Sequence, residues 1–162
     1  MDIIRNAGNS VANYLRLVFA GNLHLNHDRL GTIYRIKHHG SYAIFRETHS
    51  NDNAPGSPVV LVVGFRLKVA RNSHLIHWLF QRVSVLTTPF WSGFAGFRVK
   101  LWMVDPQTHN YMGIYNWAGH SNAKHYAETL KKVLDFCSVG GSVGYSIYNE
   151  PLELYLANRY QR

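Results

Sequence analysis

The stretch that most restricts what this chain can become is Gly96–Trp117, G-F-R-V-K-L-W-M-V-D-P-Q-T-H-N-Y-M-G-I-Y-N-W. Two runs of alternating side chains flank a polar turn. Pro106 fixes its own φ, and Asp105 and Asn110 offer side chains to local backbone groups, so Asp105–Asn110 reads as the turn of a hairpin. Closing it there sets residue 104 opposite 111, 102 opposite 113, 100 opposite 115 and 98 opposite 117. Side chains in a strand alternate between faces, so this register sorts them strictly. One face collects Phe97, Val99, Leu101, Met103, Met112 and Ile114. The other collects Arg98, Lys100, Trp102, Tyr111, Tyr115 and Trp117, with Gly113 leaving a gap beside Trp102. A face that is cationic and aromatic at once is the strongest functional signal in the chain.

The remaining elements follow from periodicity. Residues 2–20 carry an apolar stripe at helical spacing, Ile3, Ile4, Ala7, Val11, Tyr14, Leu15, Val18 and Phe19. Two cations, Arg5 and Arg16, are too few for a membrane-surface helix, so docking on protein is expected. Residues 21–30 read as loop. Residues 31–37 and 42–48 read as a hairpin turning at His38–Ser41. His49–Pro58 is the one linker-like tract. Val59–Lys68 opens with a continuous apolar run, as a central strand does. A helix capped by Asn72 or Ser73 runs to about Leu86, burying Leu75, Ile76, Leu79, Phe80, Val83 and Leu86. A second, capped by Ser121 or Asn122, buries Ala123, Tyr126, Ala127, Leu130, Val133, Leu134 and Cys137. Gly140-Gly141 stops it. Val143–Tyr148 is a last strand, and the tail carries Leu152, Tyr155 and Leu156 at helical spacing.

From Val59 the order is strand, helix, strand, strand, helix, strand. That is the ferredoxin-like βαββαβ arrangement, an α+β fold. The division is 1–58 for an N-terminal helix and hairpin extension with its linker, 59–149 for the ferredoxin-like domain and 150–162 for the tail. Right-handed crossovers put both helices on one face. The aliphatic face, with Phe65, Phe97, Val99, Leu101 and Ile114, is the one they are expected to cover. The other face, with Arg66, Lys68, Arg98, Lys100, Trp102, Tyr115 and Trp117, then needs a second sheet or an added segment over it. A helix above Lys100 and Trp102 would remove a pocket walled in that way.

Two kinds of protein leave such a face. An RNA recognition motif stacks bases on sheet aromatics, and the formal charge of +8 suits it. Its glycine-aromatic signature belongs on the third strand, however, and the near match Gly93–Val99 lies on the second. The other kind is the dimeric α/β barrel. Here P-F-W-S-G-F-A-G-F-R-V-K-L-W-M-V-D, Y-M-G-I-Y-N-W, A-K-H-Y-A-E-T-L and G-S-V-G-Y resemble bacterial proteins of the antibiotic-biosynthesis-monooxygenase type, over about residues 58–149. The resemblance implies a homodimer with an aromatic-lined pocket between sheet and helices. It also implies a small aromatic or polyketide-like anionic ligand, and chemistry without metal or flavin. On this chain the implied positions are Lys100, Trp102, Tyr115 and Trp117, with Arg98 and Arg66 nearby. Lys100 or Arg98 would hold a phenolate, enolate or carboxylate by charge, and the rings would stack on a planar ligand. No residue is assigned a catalytic role. A non-catalytic ligand-binding or structural dimer using the same face is the alternative.

Other chemistries find little support. A haem-handling variant would need an axial histidine facing the pocket, yet His74, His77 and His125 lie off the apolar stripes, so no cofactor is expected. The ten histidines show no zinc spacing. No nucleophile elbow, P-loop or dinucleotide fingerprint is present. Cys137, the single cysteine, sits on a buried helical stripe, where packing suits it. With no internal disulfide, no apolar run of about 18 residues and no secretory-type N-terminus, a cytoplasmic protein is expected, and neither nucleic acid nor membrane is the expected partner.

Overall fold

The computed structural model describes residues 23–36, 40–51, 54–68 and 94–161, with positions 16, 19, 75, 78, 80 and 82 besides. The Asp105–Asn110 turn forms as its residues dictate. The Asp105 carboxylate accepts the Gln107 amide at 2.8 Å and the Thr108 hydroxyl at 2.7 Å, and the Asp105 amide donates to Asn110 O at 2.9 Å. From this turn β5 (Phe97–Val104) and β6 (Tyr111–Ala118) pair as expected at Val104↔Tyr111, Trp102↔Gly113 and Lys100↔Tyr115.

Beyond Lys100 the register departs from expectation. Val99 pairs with Asn116 and Phe97 with Trp117, so Arg98 is the extra residue of a β-bulge. Its guanidinium donates to Ala54 O at 3.3 Å and Gly56 O at 3.2 Å, fastening the 54–57 loop. The bulge shifts the pleat by one. Phe97, assigned to the aliphatic face, therefore joins the aromatic face, and Arg98 leaves it.

Eight strands form one antiparallel-paired sheet in the order β7-β4-β6-β5-β3-β2-β8, with β1 on β3. β4 (Pro58–Phe65), β5, β6 and β7 (Gly144–Tyr148) are the ferredoxin-like core. That fold agrees with the one the resemblance implies. β3 (Gly40–Ser50) adds to the β5 edge, so the N-terminal hairpin continues the same sheet. β2 (Ile33–Ile36) pairs with one half of β3. β1 (Leu23–Asn26), expected as loop, pairs with the other half. Four residues reading L-H-L-N carry too little pattern to announce a strand, and the long partner supplies the backbone bonds that settle it.

α1 (His120–Cys137) begins earlier than the predicted caps, at Gly119, while Asn122 Nδ2 donates back to Ala118 O at 2.7 Å. The tail forms α2 (Leu152–Arg159), and β8 (Tyr160–Gln161) returns to pair with β2. Arg29, in the turn between β1 and β2, ties this end down. It donates to buried Glu47 of β3 at 2.5 Å and pairs with Glu153 of α2.

The two faces are covered in the reverse of the expected way. α1 packs on the aromatic face, in one core with Val59, Leu61, Phe97, Trp102, Tyr115 and Trp117. α2 packs on the aliphatic face, against Ile44, Val60, Leu101, Met103 and Ile114. The expectation equated the helix side with the aliphatic side. Indole and phenol rings bury as much apolar area as aliphatic chains, so polarity at one atom does not keep them in water. Lys100 and Trp102 thus share the face on which α1 packs rather than the face opposite it. The same cover withdraws the rings from base stacking, as the RNA reading required them.

Most of the predicted 72–86 helix, the N-terminal stripe before Phe19 and the His38-His39 turn lie outside the described residues. Leu75, Trp78, Phe80 and Arg82 are helical. Leu75, placed on the buried stripe, is instead 70% exposed, and so is most of Phe19. Phe80 meets Phe65 and Tyr111 with ring centroids at 5.9 and 4.6 Å, on the α1 side of the sheet. Among the described residues, no helix is long and apolar enough to cross a membrane.

Candidate functional site

Three neighbouring strands build the site. On β3, Arg46 and Thr48 stand beside Trp102 and Lys100 of β5, which in turn stand beside Gly113 and Tyr115 of β6. All but Gly113 send side chains to the α1 face. Gly113 lacks a side chain for a steric reason: a Cβ there would lie 2.7 Å from the Tyr115 ring, which occupies the gap expected beside Trp102. Trp117 and Tyr115 meet Tyr126 of α1 at 4.7 and 5.1 Å, and Phe97 meets Trp117 edge-on at 5.7 Å. Such ring pairs add about 0.5–1.5 kcal/mol each beyond their burial.

Into this apolar setting the sheet inserts an amine. Lys100 is 4% exposed, with Nζ 3.0 Å from the Trp102 ring centroid and 4.7 Å from that of Tyr115. The Arg46 guanidinium lies 5.6 Å from the same indole centroid. None of the ion pairs among the described residues places a carboxylate on Lys100. Burial, and secondarily repulsion by Arg46, push the Lys100 amine well below the ordinary lysine range. Burial also raises the phenols of Tyr115 and Tyr126. Three donors on this face, Trp102 Nε1, Trp117 Nε1 and Thr48 Oγ1, are buried without a hydrogen-bond acceptor among the described residues. The arrangement offers N–H donors, an aromatic wall and a lysine amine with no carboxylate paired to it among the described residues.

Of the six residues singled out in the sequence, Lys100, Trp102, Tyr115 and Trp117 come together here. Arg98 does not, since its bulge turns it to the loop. Arg66 is exposed at the far end of β4, lining an open cleft of about 290 Å³ with Tyr42, Phe65, Asn110, Tyr111 and Ser142. Burial pushes the Tyr111 phenol up to about 12. Tyr111 and Trp102 are joined through Phe45, whose ring is 6.4 Å from each. Arg66 therefore stands at the cleft and Lys100 at the inner end of one run of rings.

Sequence reasoning missed Arg46 and Thr48, because it placed β3 outside the domain. The alternation of Tyr42–Thr48 hinted at a two-faced strand but not at its neighbour. Among the described residues no three His, Cys, Asp or Glu side chains converge as a metal site would need. His125 is exposed on α1, with its ring 5.9 Å from that of Phe94, while His74 and His77 lie outside the described residues.

No protein-family model matches the chain, and no curated protein matches its sequence. Solved structures do resemble it in fold. A staphylococcal protein described as a major regulator of pathogenesis aligns over 86% of this chain and 92% of its own, at 9% identity and a TM-score of 0.50. A ferredoxin-fold protein of Listeria monocytogenes, described as related to antibiotic biosynthesis monooxygenases, aligns over 85% and 88% at 15% identity and a TM-score of 0.43. The heme-degrading enzyme of Listeria monocytogenes aligns over 85% and 93% at 14% identity and a TM-score of 0.43. At such identities the likeness is one of fold.

Proposed function

We propose that this protein binds a planar, anionic small molecule against the aromatic face around Lys100, Trp102, Tyr115 and Trp117. The observation that carries the reading is Lys100 itself. A lysine this buried is almost always ion-paired, yet among the described residues no carboxylate pairs with it and the charge that acts on it is a second cation, Arg46. An anion would relieve the buried amine in a low-dielectric setting, where a charge-assisted contact is strong. The unpartnered indole N–H groups and the Thr48 hydroxyl are donors for its oxygens. Arg66 at the cleft, and the overall charge of +8, favour approach of such a ligand.

Oxygen-dependent chemistry on that ligand, and a homodimer, are the finer parts of this proposal. They rest on the sequence resemblance. A second reading treats the same residues as core alone, and the near-complete burial of Tyr115 and Trp117 favours it.

Thermal melts with a panel of aromatic acids, headed by 4-hydroxybenzoate, separate the two. The parent is expected to gain Tm with ligand and Lys100→Met to lose that gain. Equal shifts in both proteins would overturn the assignment. Oxygen uptake that depends on the bound ligand tests the chemistry, and light scattering tests the dimer.

A further inference from the structure

We infer that Lys100 is a nucleophilic amine that captures an aldehyde or ketone as a Schiff base, so that the site takes carbonyl compounds as well as anions. The inference rests on the reading above that small molecules reach the aromatic face. It stands on the group of residues around one nitrogen. That nitrogen lies against the Trp102 ring of β5 and the Tyr115 ring of β6, with Tyr126 of α1 behind Tyr115, and the Arg46 guanidinium of β3 stands over the same indole. None of these is an acid, and none stabilises an ammonium as a carboxylate would.

Other lysines of the chain are held differently. Lys131 lies 2.6 Å from Asp135 and Lys124 lies 4.0 Å from Glu128, both exposed on α1. Lys68 donates to Phe136 O at 2.9 Å in the open. Each of those amines has an oxygen beside it, a carboxylate or a backbone carbonyl. A lysine desolvated among apolar groups beside another cation keeps its lone pair, which is how enzymes prepare amines for carbonyl attack.

The step balances without a further reagent. The Nζ lone pair adds to the carbonyl carbon, and the carbonyl oxygen departs as water with the two amine hydrogens. A C=N bond remains between Lys100 and the ligand.

The test uses the full chain and 4-hydroxybenzaldehyde near neutral pH, with borohydride to reduce any imine and peptide mapping to locate it. In parallel, calorimetry measures binding of 4-hydroxybenzoate, which has the same ring and no carbonyl open to imine formation. Each pKa unit below the ordinary lysine value raises the neutral fraction about tenfold. The Lys100 adduct is therefore expected to exceed that of every other lysine by about tenfold or more, and excess 4-hydroxybenzoate is expected to suppress it. Lys100→Arg keeps a long basic side chain but has no amine able to form an imine, and should lose the adduct. Mapping the parent alone decides the matter if that variant folds poorly. Even labelling across the lysines, or 4-hydroxybenzoate binding with no Lys100 adduct, overturns the imine and leaves the anion site standing. Absence of both binding and adduct overturns the two together.

Discussion

At the scale of single residues, Lys100 makes the most specific demand on this protein. An unfolded chain protonates this lysine below about pH 10.4, while the folded chain waits until its own lower value. Across that window the unfolded state holds more protons, so stability falls as pH falls. The slope approaches about 1.4 kcal/mol per pH unit for one group. Lys100→Met removes the titration and keeps the length of the side chain. Its urea midpoint is therefore expected to gain on the parent's as pH drops from about 10 towards neutrality. Parallel curves for the two proteins would mean that Lys100 is not held neutral by its surroundings.

At the scale of elements, α2 and the β1–β2 turn act together through Arg29. Glu47 is fully buried, and it accepts from Arg29 at 2.5 Å while His49 Nε2 lies 2.6 Å from the same oxygen. Removing one partner of a buried pair leaves a charge in the core, at a cost of about 3–5 kcal/mol. Arg29 is itself 20% exposed, so Arg29→Met is expected near the lower end. Chemical denaturation reads the loss, and Glu47→Gln in the same background should recover part of it. The elements also mark what the amino-acid order makes legible. The β5–β6 register, the βαββαβ order and the grouping of Lys100, Trp102, Tyr115 and Trp117 all follow from local alternation and turn chemistry. The Arg98 bulge does not, because its bonds reach to Ala54 and Gly56, far away in the chain. β1 and β8 are too short to carry a pattern, and each exists through its partner. The face that α1 takes was misjudged for a related reason. The sheet is covered on both sides, and α2, which claims the aliphatic one, is eight residues long and read only as a tail. Arg46 and Thr48 were missed with β3, since nothing local says that this strand lies beside β5.

At the scale of the whole molecule, the sheet lies between α1 on one face and α2 on the other. The four-strand centre is knit by long ladders, with eight residue pairs between β4 and β6. The opposite flank ends in β8, which holds β2 through two. The unequal lengths of these two seams decide how the protein would answer to mechanical load. Tension between the N-terminal hairpin and residue 161, as an optical trap applies it, should unzip β8 first and draw α2 off Leu101, Met103 and Ile114. The central ladders would yield only later, at higher force, so the extension trace is expected in two steps. A single rip would show instead that the thin seam and the thick one fail as one body.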